Sequence, residues 1–184
     1  MSSQKKKILF IINGGIASYK SLELIRTLIK KGFEIECILT KNVSKFIKPI
    51  TFSSLIGKKV HHDLFLLEEN SKMSHIELAQ NNELIIVIPA TANFLGKMAN
   101  GIADDLASTT IMATKSKVIV APAMNTGMWE NKAVIDNVNK LSKRGITVLS
   151  PEVGELACGQ FGSGKLVKLE LIESYIEEFF KDKS

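Results

Sequence analysis

Four short apolar runs, each breaking off at glycine or at a small polar residue, constrain the fold of this chain more than any other feature. They are KILFIIN (7–13), FEIECILT (33–40), LIIVIP (84–89) and KVIVAP (117–122). Short apolar runs of this kind are what strands buried on both faces of a parallel sheet require. Between the first two, Leu22, Leu24, Ile25, Leu28 and Ile29 recur with helical period, and Gly32 follows as a C-cap. That is a β-α-β unit. A polar, less regular stretch comes next. Helices are then expected around SHIELAQ (74–80), ANFLGKMANG (92–101), DLASTTIMA (105–113), 130–144 and 169–181, with another strand at ITVLS (146–150). Strands alternating with helices predict a three-layer α/β fold with a mostly parallel sheet and right-handed crossovers.

No Pro/Gly/Ser-rich linker divides the 184 residues, so one domain over 1–184 is expected. The net charge of +5 comes from lysines scattered along helical faces and at both ends. No basic stripe interleaves with aromatics, which argues against a nucleic-acid partner. Cys37 and Cys158 are the only cysteines, too few and too far apart for a disulfide scaffold or a zinc site, so no metal is expected and a reducing cytoplasm fits. The apolar run after MSSQKKK is too short for a signal peptide, and no run reaches the length of a membrane span.

Ligands of such sheets bind beyond the carboxyl ends of the strands. Standing there are GGIAS (14–18), Thr40, PATAN (89–93) and PAMN (122–125). GGIAS is not the G-x-G-x-x-G dinucleotide fingerprint. Its glycines allow backbone N–H groups to approach a phosphate at a helix start, or they make a tight turn with Ser18 near the helix N-terminus. TAN has the same two readings, anion cradle or N-cap. Two cradles without a Walker lysine or acidic metal ligands suggest a mononucleotide cofactor held by its phosphate. His75 precedes a helix-like stretch, where a capping or surface role is the simplest reading, and His61 and His62 read as surface residues. Cys158, in the glycine-rich ELACGQFGSGK (155–165), reads as a thiol on a mobile flap suited to delivering a proton; Cys37 reads as a small buried hydrophobe.

Taken together and in order, GGIASYK, PATANFLGKMANGIADDL, PAMNTGMW and ACGQFGSGK resemble the homo-oligomeric flavin-containing cysteine decarboxylases, and within them the branch acting on 4'-phospho-N-pantothenoylcysteine in coenzyme A biosynthesis. The likeness covers essentially the whole chain. It implies a Rossmann-like (flavodoxin-like) domain that binds FMN and converts that substrate to 4'-phosphopantetheine with loss of carbon dioxide. By the resemblance, His75, Asn125 and Cys158 are catalytic, with His75 assisting thiol oxidation and decarboxylation, Asn125 holding the substrate carboxylate or amide, and Cys158 donating the last proton. The cofactor is expected at Gly14, Gly15, Ile16, Ala17, Thr40, Ser53, Thr91, Ala92, Asn93 and Ala123. The substrate is expected at Asn125, Met128, Ala157 and Lys165. A trimer or dodecamer and a synthetase that supplies the substrate, fused to this domain in many bacteria, are the implied partners. Lys165 stands where the family more often has arginine, and Phe94 where it has threonine. Peptidyl-cysteine decarboxylases share PxMNxxMW but stop at the enethiol, and the ACG motif argues against them. Flavin prenyltransferases are more remote. Regulatory flavin-binding relatives usually carry long acidic tails, absent from this sequence.

Overall fold

The structure, a computed structural model, describes residues 6–64 and 74–183. Five parallel strands form one sheet: β1 (Lys7–Ile12), β2 (Glu34–Leu39), β3 (Leu84–Ala90), β4 (Lys117–Pro122) and β5 (Thr147–Val148), in the order β2-β1-β3-β4-β5. This is the flavodoxin-like order, and it bears out the α/β, Rossmann-like expectation. Helices α1 (Ser18–Lys30), α2 (Pro49–Ile56), α3 (Ser74–Asn81), α4 (Ala92–Asn100), α5 (Leu106–Ala113), α6 (Thr126–Trp129), α7 (Lys132–Lys143) and α8 (Leu169–Lys181) complete the layers with a 3₁₀ turn at Lys41–Lys45.

Each central strand buries both faces, which is why its sequence is apolar without a break. In β1, Ile8, Phe10 and Ile12 point into a core with Leu24, Leu28, Phe52, Ile172 and Phe180 of α1, α2 and α8. Leu9 and Ile11 point into the opposite core with Leu78, Phe94, Leu95, Leu106 and Leu141 of α3, α4, α5 and α7. Each side chain of this size contributes about 1.5–3 kcal/mol when fully buried, so the sheet centre is the most stable part of the molecule.

Two local expectations are corrected, and a third is met with an addition. The polar stretch after β2 contains α2, where Pro49 pre-sets the first helical φ and Gly57 closes the helix at φ 66°. The helix expected over 130–144 is α7, capped by Asn131, and a separate short helix not anticipated, α6, precedes it and is capped by Asn125. The flap is an antiparallel hairpin of β6 (Glu152–Glu155) and β7 (Phe161–Lys165), not an irregular loop. Its glycines permit this, because the inner face of the hairpin lies hard against the end of β4. A Cβ on Gly164 would land on the Met124 carbonyl oxygen, and one on Gly162 on the Thr126 hydroxyl. Met124 N–H donates to Gly164 O at 2.9 Å and Thr126 Oγ1 to Ser163 O at 2.7 Å, fixing the base of the hairpin.

Candidate active site

In the order β2-β1-β3, the chain leaves β1 in one direction for β2 and returns on its other side for β3. The loops that follow β1 and β3 therefore diverge and leave a crevice between them. A cleft of about 670 Å³ opens there, within the size range of cofactor sites. Its floor is Gly14 to Ala17, with Pro89, Thr91 and Ala92; Ala123, Asn125 and Met128 form one wall, and Ala157, Cys158 and Lys165 of the hairpin form the other. Helices α1 and α4 both begin at this cleft, and neither has an acidic residue in its first turn. Their N-terminal dipoles and the Lys20 side chain in the lining make the floor attractive to an anion.

The turn and N-cap readings of the two loops are both observed. Gly15 N–H donates to Ser18 Oγ at 3.2 Å and Ser18 Oγ donates to Asn13 O at 2.9 Å, so the first loop is a self-bonded turn. Gly15 nevertheless faces open space, with no atom within 4 Å of an added Cβ, whereas at Gly14 that atom would meet Asn42 at 2.6 Å. Thr91 is an N-cap, its Oγ1 accepting from Phe94 N–H at 3.3 Å. Its own N–H donates to Asn13 Oδ1 at 3.1 Å. Asn13 is almost fully buried between the two loops and was not among the residues singled out in the sequence. A polar residue at the end of an apolar strand was the signal.

Asn125 accepts from Gly127 N–H at 2.8 Å through Oδ1, which turns its Nδ2 toward the hairpin. There Nδ2 donates to Gln160 Oε1 at 3.1 Å and lies 3.7 Å from Cys158 Sγ. Cys158 is exposed, whereas Cys37 is fully buried in β2, where burial and then the neighbouring Glu36 carboxylate push its thiol pKa up. One thiol is thus available for chemistry and one is core.

Four expected residues lie outside the lining of this cleft: Thr40, Ser53, Asn93 and His75. Thr40 donates through its N–H to Ile12 O at 3.0 Å and lines a second recess of about 460 Å³ beside Lys41, His62 and Asp104. Ser53 Oγ donates to Ile50 O at 3.1 Å within α2, and Asn93 is exposed on α4. His75 is half-buried on α3, a helix that packs against α5 on the far side of the sheet from α1. Tyr19, Met124 and Leu156 line the cleft and were not anticipated. Among the described residues no cluster of three or more His, Cys, Asp or Glu could hold a metal ion, and no helix is long and apolar enough to cross a membrane.

The profile of the Flavoprotein family matches residues 1–181. The coenzyme A biosynthesis bifunctional protein CoaBC of Bacillus subtilis is 40% identical over 179 residues, covering 97% of this chain and 44% of that protein. Its Escherichia coli counterpart is 36% identical over 180 residues, with 97% and 44% covered. The chain spans less than half the length of these relatives. Among solved structures, a mutant PPC decarboxylase complexed with pantothenoylaminoethenethiol is similar at TM-score 0.86 and 28% identity, covering 97% of this chain and 100% of that one. The FMN binding protein AtHal3 is similar at TM-score 0.83 and 28% identity, covering 98% and 100%.

Proposed function

The chain belongs to the flavoprotein family, and from that premise we propose that it is the FMN-dependent carboxy-lyase that converts 4'-phospho-N-pantothenoylcysteine to 4'-phosphopantetheine in coenzyme A biosynthesis. The observation that carries the reading is the pairing, across one anion-attracting cleft, of an oriented amide donor and an exposed thiol. Names of relatives support it: the CoaBC proteins at 36% to 40% identity and a PPC decarboxylase covering the whole fold.

The donor set fits a flavin mononucleotide. Gly14 to Ala17 with Thr91 and Ala92 would hold it at the two helix starts, where Lys20 adds positive charge and the open face of Gly15 gives room. Thr40, Ser53 and Asn93 would act at the margin of this site, outside its lining. When bound, FMN supplies the two-electron oxidation of the substrate thiol and returns those electrons after carbon dioxide has left. The chain does the rest. Asn125 Nδ2 binds the substrate carboxylate or the adjacent amide carbonyl and holds the cysteine end in place. An amide oriented in this way is selective, because a mismatched ligand leaves its donor unpaired in the complex. Lys165 attracts the substrate phosphate as a point charge, without the bidentate fork an arginine would offer. Met128 and Ala157 shape the walls, and Cys158 gives its proton to carbon in the final reduction.

His75 lies outside the lining of the cleft of its own chain. We therefore place it in the cleft of a second copy, within a trimer or an assembly of trimers in the cytoplasm, with a synthetase as the source of substrate. The test is reconstitution with FMN followed by assay against 4'-phospho-N-pantothenoylcysteine and against a peptide ending in cysteine, with carbon dioxide and product mass measured. Formation of 4'-phosphopantetheine is the expected result. A protein that cannot be loaded with FMN, or one that acts on the peptide alone, overturns it.

A further inference from the structure

Gln160 has no part in the chemistry above, yet its side chain touches both polar groups on which that chemistry rests. Gln160 Oε1 accepts from Asn125 Nδ2 at 3.1 Å and lies 3.8 Å from Cys158 Sγ, within reach of a thiol donor. The Asn125 Nδ2 to Cys158 Sγ separation of 3.7 Å closes a triangle over the mouth of the cleft. One corner stands at the end of β4 and two stand at the turn of the hairpin. The backbone around Gln160 is ordered by its own bonds: Leu156 N–H donates to the Gln160 carbonyl at 2.8 Å, and Gly159 N–H to the Leu156 carbonyl at 2.9 Å.

The hairpin is anchored unevenly. Its base is held by the Met124 to Gly164 backbone bond, by Thr126 Oγ1 on Ser163 O, and by Ser163 Oγ on Glu130 Oε1 at 2.9 Å. Toward the tip, the cross-links among the described residues are those of the triangle. A tip without them keeps its backbone turn but loses its distance from Asn125. We propose that Gln160 is a positioning residue, whose side-chain oxygen sets the Cys158 thiol and the Asn125 amide in register across the cleft and so couples proton delivery to decarboxylation. What the position requires is an acceptor oxygen, because both of its neighbours donate. The Gln160 NH₂ group takes no part. The coupling rests on the reading of Cys158 and Asn125 given above, whereas the ordering of the thiol does not.

Two measurements on the full chain loaded with FMN separate these points. The first needs no substrate: the rate at which iodoacetamide alkylates Cys158, followed by mass, with Cys37 too deeply buried to compete. Losing one net hydrogen bond is worth about a fivefold change, so Gln160→Ala and Gln160→Met should both raise this rate about fivefold. Gln160→Glu keeps an acceptor on a stem of the same length, but its carboxylate disfavours the thiolate, so its rate should fall below wild type, opposite in direction to the Ala and Met variants. The second is a single anaerobic turnover, in which carbon dioxide and the saturated thiol are counted. Wild type should give them in equal amounts. The Ala and Met variants should release carbon dioxide but form about fivefold less saturated thiol. The remainder should leave as the unsaturated decarboxylated thiol, with its two electrons retained on the cofactor.

An alkylation rate unchanged in both Ala and Met variants overturns the proposal whatever the substrate. An altered rate with an unchanged product ratio in an active enzyme overturns the coupling. If wild type does not turn over the substrate at all while the alkylation rates change as expected, the substrate reading falls and the ordering of the thiol by Gln160 stands.

Discussion

The backbone N–H of Thr91 donates to the Asn13 side-chain oxygen at 3.1 Å, so one carboxamide ties together the ends of the two strands between which the cleft opens. Asn13 is 2% exposed, and its Nδ2 is buried with no hydrogen-bond partner among the described residues. Asn13 Oδ1 is thereby committed to the one place where β1 and β3 must hold their spacing.

Asn13→Ala should therefore destabilise the fold by about 1–3 kcal/mol, since the Thr91 N–H is then left without its acceptor. It should also weaken FMN binding about tenfold by loosening the second loop against the first. Urea unfolding and a flavin fluorescence titration measure the two effects separately.

Gly164→Ala places a methyl group on the Met124 carbonyl oxygen at a backbone φ of 118°. The strain, about 1–3 kcal/mol, falls on the hairpin and leaves the sheet alone. Activity should drop at least about tenfold while the thermal midpoint moves by only a few degrees, because the hairpin is bonded to the end of β4 and not into the parallel sheet. Turnover measured beside calorimetry checks this; an active, well-folded variant would show that the close approach is dispensable.

Asn125→Asp should retain the fold and lose turnover. An aspartate oxygen can still accept the Gly127 N–H, so the α6 cap survives. Its charge would meet the substrate carboxylate in a cleft where such repulsion is stronger than in bulk water. Steady-state kinetics with a melting curve test the pair of outcomes.

Asp105 sets an acid limit on the loop between α4 and α5. Partial burial pushes its carboxyl up, but the Lys97 ammonium at 2.7 Å and the Ser108 N–H and hydroxyl at 2.8 Å outweigh that and hold it below its ordinary value near 3.8. A depressed carboxyl contributes stability that is full above the unfolded value and is lost as pH falls through the folded one. Asp105→Asn keeps the cap but not the charge. Its stability deficit against wild type should be constant above about pH 5 and shrink toward zero as pH falls below 3.8, as urea unfolding at a series of pH values would show.

Mixing His75→Asn chains with Asn125→Asp chains, each inactive alone, should restore part of the activity if the two residues serve one site from different copies. Verified mixed oligomers that stay inactive would place both residues in one chain's site.

Most of the sheet was legible in the sequence because burial on both faces leaves strands such as β1 and β3 no polar residue to confuse the pattern. α2 was not, since PITFSSLI carries its start and stop signals in Pro49 and Gly57 and only Phe52 of its apolar residues is buried. The hairpin was hidden for a different reason: glycine at 162 and 164 resembles loop composition, and only the proximity of Thr126 and Met124 explains it as a strand. Asn125 and Cys158 were marked by their motifs, but no sequence pattern could show that Gln160 lies between them. The position of His75 was equally beyond reach, because its absence from the cleft lining depends on where α3 packs.

The two margins of the sheet differ from its centre. β5 is two residues long, and the outer side of β2 is taken by His61, whose N–H and carbonyl bond Cys37 O at 2.9 Å and Leu39 N–H at 2.8 Å. A margin that short or already occupied offers a passing chain little template for adding a strand. Edge-to-edge pairing of the parallel sheets of two copies is disfavoured at both margins.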